Sequence, residues 1–354
     1  MRLLHTSDWH LGRSLHREDL RDAQAAFVDH LVETVREEQV DAVLVAGDVY
    51  DRAVPSLDAV QLCEEALTRL RETGAHVVVI SGNHDSARRL GFGSRLLDSS
   101  GVFLRTQPTL EPVLLGDVPV YAVPYLDPGP LTDHLREVAA VAPPYAVVMA
   151  HGWVAGGAAS DSERDITVGG VGAIAPSLLD GFAYSALGHL HGPQVIAEGV
   201  RYSGSPLAYS FSEAGHRKGS WLVQTGTTGL QHVEFVPAPV PRRLSSLRGE
   251  LAQLLLDPAL SGQEHDWLTV TLTDAARPEE AMARLRIRFP HVLVLAHEPA
   301  GVVRSEETYA ARVTGRTDLQ VSTAFVEHVR GTVADEAEQV LLAEALESVR
   351  PVTQ

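Results

Sequence analysis

The sequence predicts a layered α/β fold. Two observations carry that expectation. Short runs of Val, Leu, Ile and Ala, such as AVLVA at 42–46 and HVVVI at 76–80, alternate with longer stretches whose apolar residues recur at helical spacing. Several of these apolar runs also stop abruptly at clusters of His, Asp, Asn and Gly. In layered α/β proteins, sites gather just outside the carboxyl ends of the strands.

The elements follow in order. Residues 2–6 form the first strand, stopping at Ser7-Asp8-Trp9-His10, and residues 11–20 read as a loop. Ala23, Phe27, Leu31 and Val35 share one face of a helix over 22–38. The strand 42–46 closes a βαβ unit and ends in Gly47, Asp48 and Asp51. Ser56 caps a helix over 57–72 with Val60, Cys63, Leu67 and Leu70 on one stripe, and Gly74 ends it. The strand 76–80 ends in Ser81-Gly82-Asn83-His84-Asp85, and a helix over 87–97 follows. Weak strands at 102–104, 112–115 and 118–123 read as an antiparallel run. A helix covers 131–141, a strand at 145–150 ends in His151-Gly152, and a Gly- and Ser-rich segment spans 154–171. The strand 182–187 ends in Gly188-His189-Leu190-His191, and alternating stretches lie at 195–202 and 219–225.

The stretch VPAPVPRR at 236–243 contains a stiff linker, 237–243. It divides a first domain (1–236) from a small α/β domain (244–321) containing a strand at 267–272, a helix at 278–289 and a strand at 291–296. A helical tail (322–354) carries Phe325, Val326 and Val329, then Leu342, Ala345, Leu346 and Val349.

With 354 residues, 45% hydrophobic and 21% charged, the chain has a globular composition. No apolar run approaches the ~20 residues of a bilayer-spanning helix, and MRLLHTSDWH does not read as a signal peptide. One cysteine, Cys63, excludes an intrachain disulfide; a cytoplasmic location is expected. A net charge of −17 argues against a surface that attracts nucleic acid all over, although bound divalent metals would add charge that this count omits.

The strand ends therefore matter most. Asp8 and His10, Asp48, Asn83 and His84, His151, and His189 and His191 all fall at such ends. A mixed nitrogen and oxygen set without thiolate suits Mn, Fe, Co or Zn. It is too large for one ion and fits two that share a carboxylate. Each short motif alone reads as readily as a turn or a chance match; their agreement across separate segments favours the metal reading.

The ordered set D-x-H, G-D-x-x-D, G-N-H-D, H-G and G-H-x-H resembles that of the calcineurin-like metallophosphoesterases. Residues 5–13, 188–194 and 202–207 resemble in particular the SbcD-type nucleases of DNA repair, and the segment after the linker resembles their capping domain. That resemblance implies two ions, usually Mn²⁺. Asp8, His10, Asp48 and His191 hold one; Asp48, Asn83, His151 and His189 hold the other; Asp48 bridges. It further implies that His84 faces the phosphate as a catalytic group, with Asp51 orienting it. The implied activity is exonuclease and endonuclease cleavage of double-strand DNA ends and hairpins in repair, recombination and replication.

The implied partners are DNA, a second copy of the chain docked through the helices 57–72 and 87–97, and an SbcC-type ABC ATPase whose coiled coil is gripped by the tail. Arg13, His16, Arg17, Arg88, Arg89 and Arg95 are the expected DNA contacts. Two other readings compete. G-D-V-Y-D-R also resembles phosphoprotein phosphatases, though Ala53 stands where those have Gly, and a cyclic-nucleotide phosphodiesterase belongs to the same alternative. A non-catalytic scaffold of the same fold is the other.

Overall fold

The structure is a computed structural model. It describes residues 1–164, 173–299, 315–330 and 332–348. By contact the chain groups into two compact units, Met1–Glu298 and Pro299–Gln354.

Two six-stranded sheets face each other in the first unit. One runs, in spatial order, Gly229–Pro237, Gly219–Gly226, Arg2–Thr6, Ala42–Ala46, His76–Ile80 and Val102–Arg105. Its last four strands are parallel. The other runs Gln194–Ala197, Val200–Tyr202, Tyr184–Gly188, Val147–His151, Val118–Val123 and Val113–Leu115, with the middle four parallel. Strands buried on both faces read as continuous apolar runs, and Ala42–Ala46 is buried at every position.

Leu3, Leu44, Val78 and Ile80 of the first sheet meet Val120, Val147, Met149 and Ala186 of the second between the layers. The outer face of the first sheet packs on the helices Arg21–Glu37 and Leu57–Glu72, through Phe27, Leu31, Val35, Cys63, Ala66 and Leu70. The outer face of the second is covered by Leu131, Leu135 and Val138 of the helix Pro128–Val141. The result is a β-sandwich flanked by helices, as the resemblance implies.

Several expectations need correction. The helix over 87–97 is two short pieces, Ala87–Leu90 and Ser94–Leu97. Gly91 ends the first, and Gly93, at φ 74°, takes the left-handed backbone that glycine tolerates best. The strands after it are not one antiparallel run. Val102–Arg105 extends the first sheet in parallel, whereas Val113–Leu115 and Val118–Val123 form a hairpin at the edge of the second. The loop over 11–20 contains a small hairpin, Ser14–Leu15 with Glu18–Asp19.

The strand Gly229–Pro237 also escaped the sequence reading, as did a third, parallel sheet's first member, Leu244–Gly249, and the helix Leu251–Leu256. That sheet is completed by Trp267–Leu272 and Val292–His297. Of the Gly- and Ser-rich segment, 165–171 lies outside the described residues, as do 172, 300–314 of the small domain, and 331 and 349–354 of the tail. The second unit contains the helices Asp318–Arg330 and Glu336–Ser348.

Candidate metal centre

The three adjacent parallel strands Arg2–Thr6, Ala42–Ala46 and His76–Ile80 deliver Asp8, Asp48 and Asn83 just past their ends. Two adjacent strands of the facing sheet deliver His151 and His189. The loops are then tied together. Asp8 N–H donates to Gly47 C=O at 3.0 Å, and His10 N–H to Asp48 C=O at 2.9 Å. Trp9 anchors the first loop from below: it is fully buried, packs edge-on against Phe27 and donates its indole N–H to Thr6 Oγ1 at 3.0 Å.

Four of the seven candidate ligands sit in left-handed backbone: Asp8 (φ 53°), His10 (45°), Asp48 (51°) and His189 (108°). Such conformations cost on the order of 1–3 kcal/mol each and cluster at functional sites. The motif glycines have a related cause. A Cβ on Gly188 would stand 1.9 Å from Ala46 O, and one on Gly82 would stand 2.2 Å from Asp48 Oδ1. Neighbouring strand ends approach too closely here for any side chain.

The ligand atoms converge in overlapping groups. Asp8, His10 and His191 each place one within 4.8 Å of the others, as do Asp8, Asp48 and His151, and His10, Asp48 and His84. Asp48 Oδ2 is 3.6 Å from both His10 Nε2 and His151 Nε2, so one carboxylate oxygen stands between the two halves. Asn83 Oδ1 lies 3.0 Å from His151 Nε2 and 3.3 Å from His189 Nδ1. On the other side His10 Nε2 and His191 Nε2 are 3.0 Å apart.

The donor chemistry fits divalent cations. His151 Nδ1–H donates to Ala46 C=O at 2.9 Å, which leaves Nε2 without a proton, facing the oxygens of Asn83 and Asp48. His10 Nδ1 is buried without a hydrogen-bond partner. If Nε2 binds a cation, the ring proton moves to Nδ1 and turns toward Asp51 Oδ1, 3.7 Å away. Burial drives His10 well below the usual imidazole range, and the neighbouring His191 adds to it; burial brings His151 down to about 4 and His189 to about 3. These rings are neutral, as ligands must be. Burial and then the adjacent Asp48 charge push Asp8 well above the carboxylate range, a cost that a cation between them would remove.

Residues 1–193 match the family described as calcineurin-like phosphoesterase. The chain belongs to this family. A calcineurin-like phosphoesterase is a metal-dependent hydrolase, and this one carries a second match, over 240–330, to the SbcD-type family described as the type 5 capsule protein repressor C-terminal domain. Among solved structures, TT1561 of Thermus thermophilus is similar at 12% identity and a TM-score of 0.40, covering 67% of this chain and 98% of that one. Another shows 12% identity and a TM-score of 0.41, covering 67% and 99%.

In this calcineurin-like phosphoesterase His84 is 6% exposed and stands edge-on to His10, with ring centroids 4.6 Å apart. Its Nδ1 bonds the backbone C=O of Asp51 at 2.8 Å, not the carboxylate assigned to it from the sequence. The Asp51 carboxylate instead faces His10 Nδ1 and Arg13 Nη1, the latter at 3.5 Å. A backbone acceptor fixes the ring as well as a carboxylate does and leaves the side chain for other work.

The expected DNA contacts divide. Arg13 is half-buried, donating to Ser162 C=O at 3.1 Å and lying over the Tyr209 ring. His16 and Arg17 are exposed in left-handed backbone. Arg88, Arg89 and Arg95 lie on the two short helical pieces, and Arg89 donates to Ala53 C=O at 3.2 Å.

The structure also brings up residues to which the sequence reading gave no role. Asp85 accepts from the amides of Val49, Tyr50 and Gly82 at 2.9–3.1 Å, locking the Asp48 loop to the Asn83 loop. Its place in G-N-H-D was the available signal. Glu163, Ser162, Glu213 and Lys218 surround His191. Ser162 and Glu163 lay in a segment read only as a loop, and no spacing rule links Glu213 or Lys218 to the ligand motifs.

Proposed function

We propose that this chain is an SbcD-like nuclease subunit: a two-metal, Mn²⁺-dependent DNA exonuclease and endonuclease acting on double-strand ends and hairpins in repair, recombination and replication, beside an SbcC-type ABC ATPase. The observation that carries the reading is the pairing, on one chain, of this centre with an SbcD-type C-terminal match over 240–330. A generic phosphatase reading accounts for the first and leaves the second without a role.

Asp8, His10, Asp48 and His191 would hold one ion, and Asp48, Asn83, His151 and His189 the other. When bound, the ions supply Lewis-acid charge toward the phosphodiester and lower the pKa of water. The chain's residues do the rest. Asp48 fixes both halves relative to each other. Its Oδ1 also accepts the backbone N–H of His84 at 2.8 Å, so the proposed acid is placed relative to the metals. With Nδ1 committed to Asp51 C=O, His84 offers Nε2 to hold or deliver a proton at the phosphate's leaving oxygen.

The chain's net charge of −17 opposes DNA binding, so attraction falls to the ions, to local Arg residues and to a partner. Leu57, Phe92 and Leu96 are 80–87% exposed on the segments expected to form a homodimer. In the second unit, Phe325, Val329, Val340 and Leu341 are each more than half exposed, as suits helices that grip a partner's coiled coil.

The test compares substrates. Purified protein with Mn²⁺, alone and with its ATPase partner, is given linear and hairpin-ended duplex DNA, a phosphopeptide and a cyclic nucleotide. Metal-dependent DNA shortening is expected. Hydrolysis of the phosphopeptide or cyclic nucleotide with intact DNA sinks the nuclease reading, and absence of any bound transition metal revives the scaffold.

A further inference from the structure

We propose that Glu213 is a positioning residue for the metal centre, setting His191 in one tautomer and one orientation through Ser162 while being held itself by Lys218. The inference rests on the metal-centre part of the proposed function and not on the choice of DNA as substrate.

The backbone groups of His191 and its Nδ1 are all held from the Glu213 side. Its backbone N–H donates to Glu163 Oε1 at 2.7 Å. Its backbone C=O accepts from Lys218 Nζ at 2.9 Å and from Ser205 N–H at 3.1 Å. Its Nδ1 meets Ser162 Oγ, whose hydroxyl donates to Glu213 Oε1, and Nδ1 is 3.4 Å from that same oxygen. A carboxylate at the end of this relay makes Nδ1 the protonated nitrogen and leaves Nε2 bare. Nε2 is the atom aimed at His10, 3.0 Å away.

The carboxylate is kept in place in turn. Glu213 is 1% exposed and accepts from Lys218 Nζ, Ser205 Oγ and Tyr209 N–H. Lys218, 5% exposed, spends its three donors on Glu213, Ser205 Oγ and the His191 carbonyl. A buried pair of this kind is weak evidence of added stability, but here both members touch the same ligand residue. Within the same half-site His10 Nδ1 makes no hydrogen bond and only faces Asp51 Oδ1 at 3.7 Å. Within the Asp8–His10–His191 group, orientation of His191 therefore falls on Glu213, whereas Asp8 is held by Ser7 Oγ and the His189 N–H. No hydrogen bond links Glu213 to Asn83, His151 or His189 among the described residues, so the other half-site should not depend on it.

The test uses the full chain, stripped of metal by chelation and titrated with Mn²⁺ by calorimetry, in wild type, Glu213→Gln, and the paired variant Glu213→Ala with Lys218→Met. The pair avoids leaving a lone buried charge. Histidine-selective ¹⁵N spectra of the metal-free protein report the His191 tautomer. The expected result is that one of two Mn²⁺ sites weakens by about 10–100-fold while the other stays within about threefold. The His191 signal should move from a pure Nδ1–H tautomer to a mixture, a change that a merely structural role would not produce. If Glu213→Gln does not fold, the paired variant decides. Two sites of wild-type affinity, equal weakening of both, or an unchanged tautomer in a folded variant overturns the proposal.

Discussion

Asp48 and His84 form one unit: Asp48 Oδ1 accepts the His84 backbone N–H at 2.8 Å, while Asp48 Oδ2 stands 3.6 Å from both His10 and His151. One carboxylate thus sets the two half-sites and the proposed acid at fixed separations. Asp48→Ala should lower Mn²⁺ stoichiometry from two to none, whereas Asp8→Ala or His189→Ala should strip mainly one ion. Equilibrium dialysis with elemental analysis distinguishes these outcomes. Retention of one tight ion by Asp48→Ala would show that the carboxylate is not shared.

His84 can be separated from the ligands. It is held through its backbone N–H, which donates to Asp48 Oδ1, and through Nδ1, which donates to the backbone C=O of Asp51. His84→Ala should therefore leave both ions bound and reduce cleavage about 10²–10⁴-fold, the usual contribution of a general acid. Asp51→Asn keeps the carbonyl and should cost cleavage far less than His84→Ala. Metal loss in parallel with activity in His84→Ala, or an Asp51→Asn as inactive as His84→Ala, contradicts the assigned roles.

The fold and the centre were legible in the sequence to different depths. Parallel strands buried on both faces have no alternation to blur them, so AVLVA and HVVVI stood out, and the candidate ligands at their ends followed directly. The atom that fixes His84 did not stand out, because a backbone carbonyl has no sequence signature; the sequence reading assigned the Asp51 carboxylate, and the bond runs to the Asp51 C=O. The support of His191 was hidden for another reason. Glu213 lies 22 residues beyond it and reaches it only because the chain turns back through Ser203-Gly204-Ser205. The break at Gly91 and Gly93 was missed because Leu90 and Leu97 stand seven residues apart, a spacing that also fits one continuous helix face.

Gly188 offers a stability test that does not involve metal. Its added Cβ would meet backbone oxygen, Ala46 O, at 1.9 Å, and His151 Nδ1 at 2.9 Å. Neither can swing aside as a flexible side chain could, since Ala46 and His151 lie in central strands. Gly188→Ala should destabilise the chelated protein by about 3 kcal/mol, the upper range for overpacking. Gly181→Ala, where a Cβ meets nothing within 4 Å, is the control. Urea midpoints measure both; equal shifts would mean that the sheets have room to part.

His5 makes the stability of the metal-free protein depend on pH with a definite sign. It is fully buried, bonded to Tyr184 Oη at 2.9 Å and Leu187 C=O at 3.1 Å. Burial brings its pKa from 6.5 down to about 3. Above pH 6.5 the ring is neutral folded or unfolded and adds no pH dependence. Between 6.5 and about 3 the unfolded chain binds a proton that the folded chain refuses, so stability falls as pH falls, by about 1.4 kcal/mol per unit for this one group. Below the folded value the loss levels off. His5→Gln removes the titration while keeping a donor and an acceptor. At about pH 7 it should be the less stable protein, having lost a fitted ring. At about pH 4.5 the comparison should have moved in its favour by about 2–3 kcal/mol. Urea unfolding in chelator at the two pH values reads this difference, and a gap between the proteins that does not change with pH would show that His5 takes up its proton equally in both states.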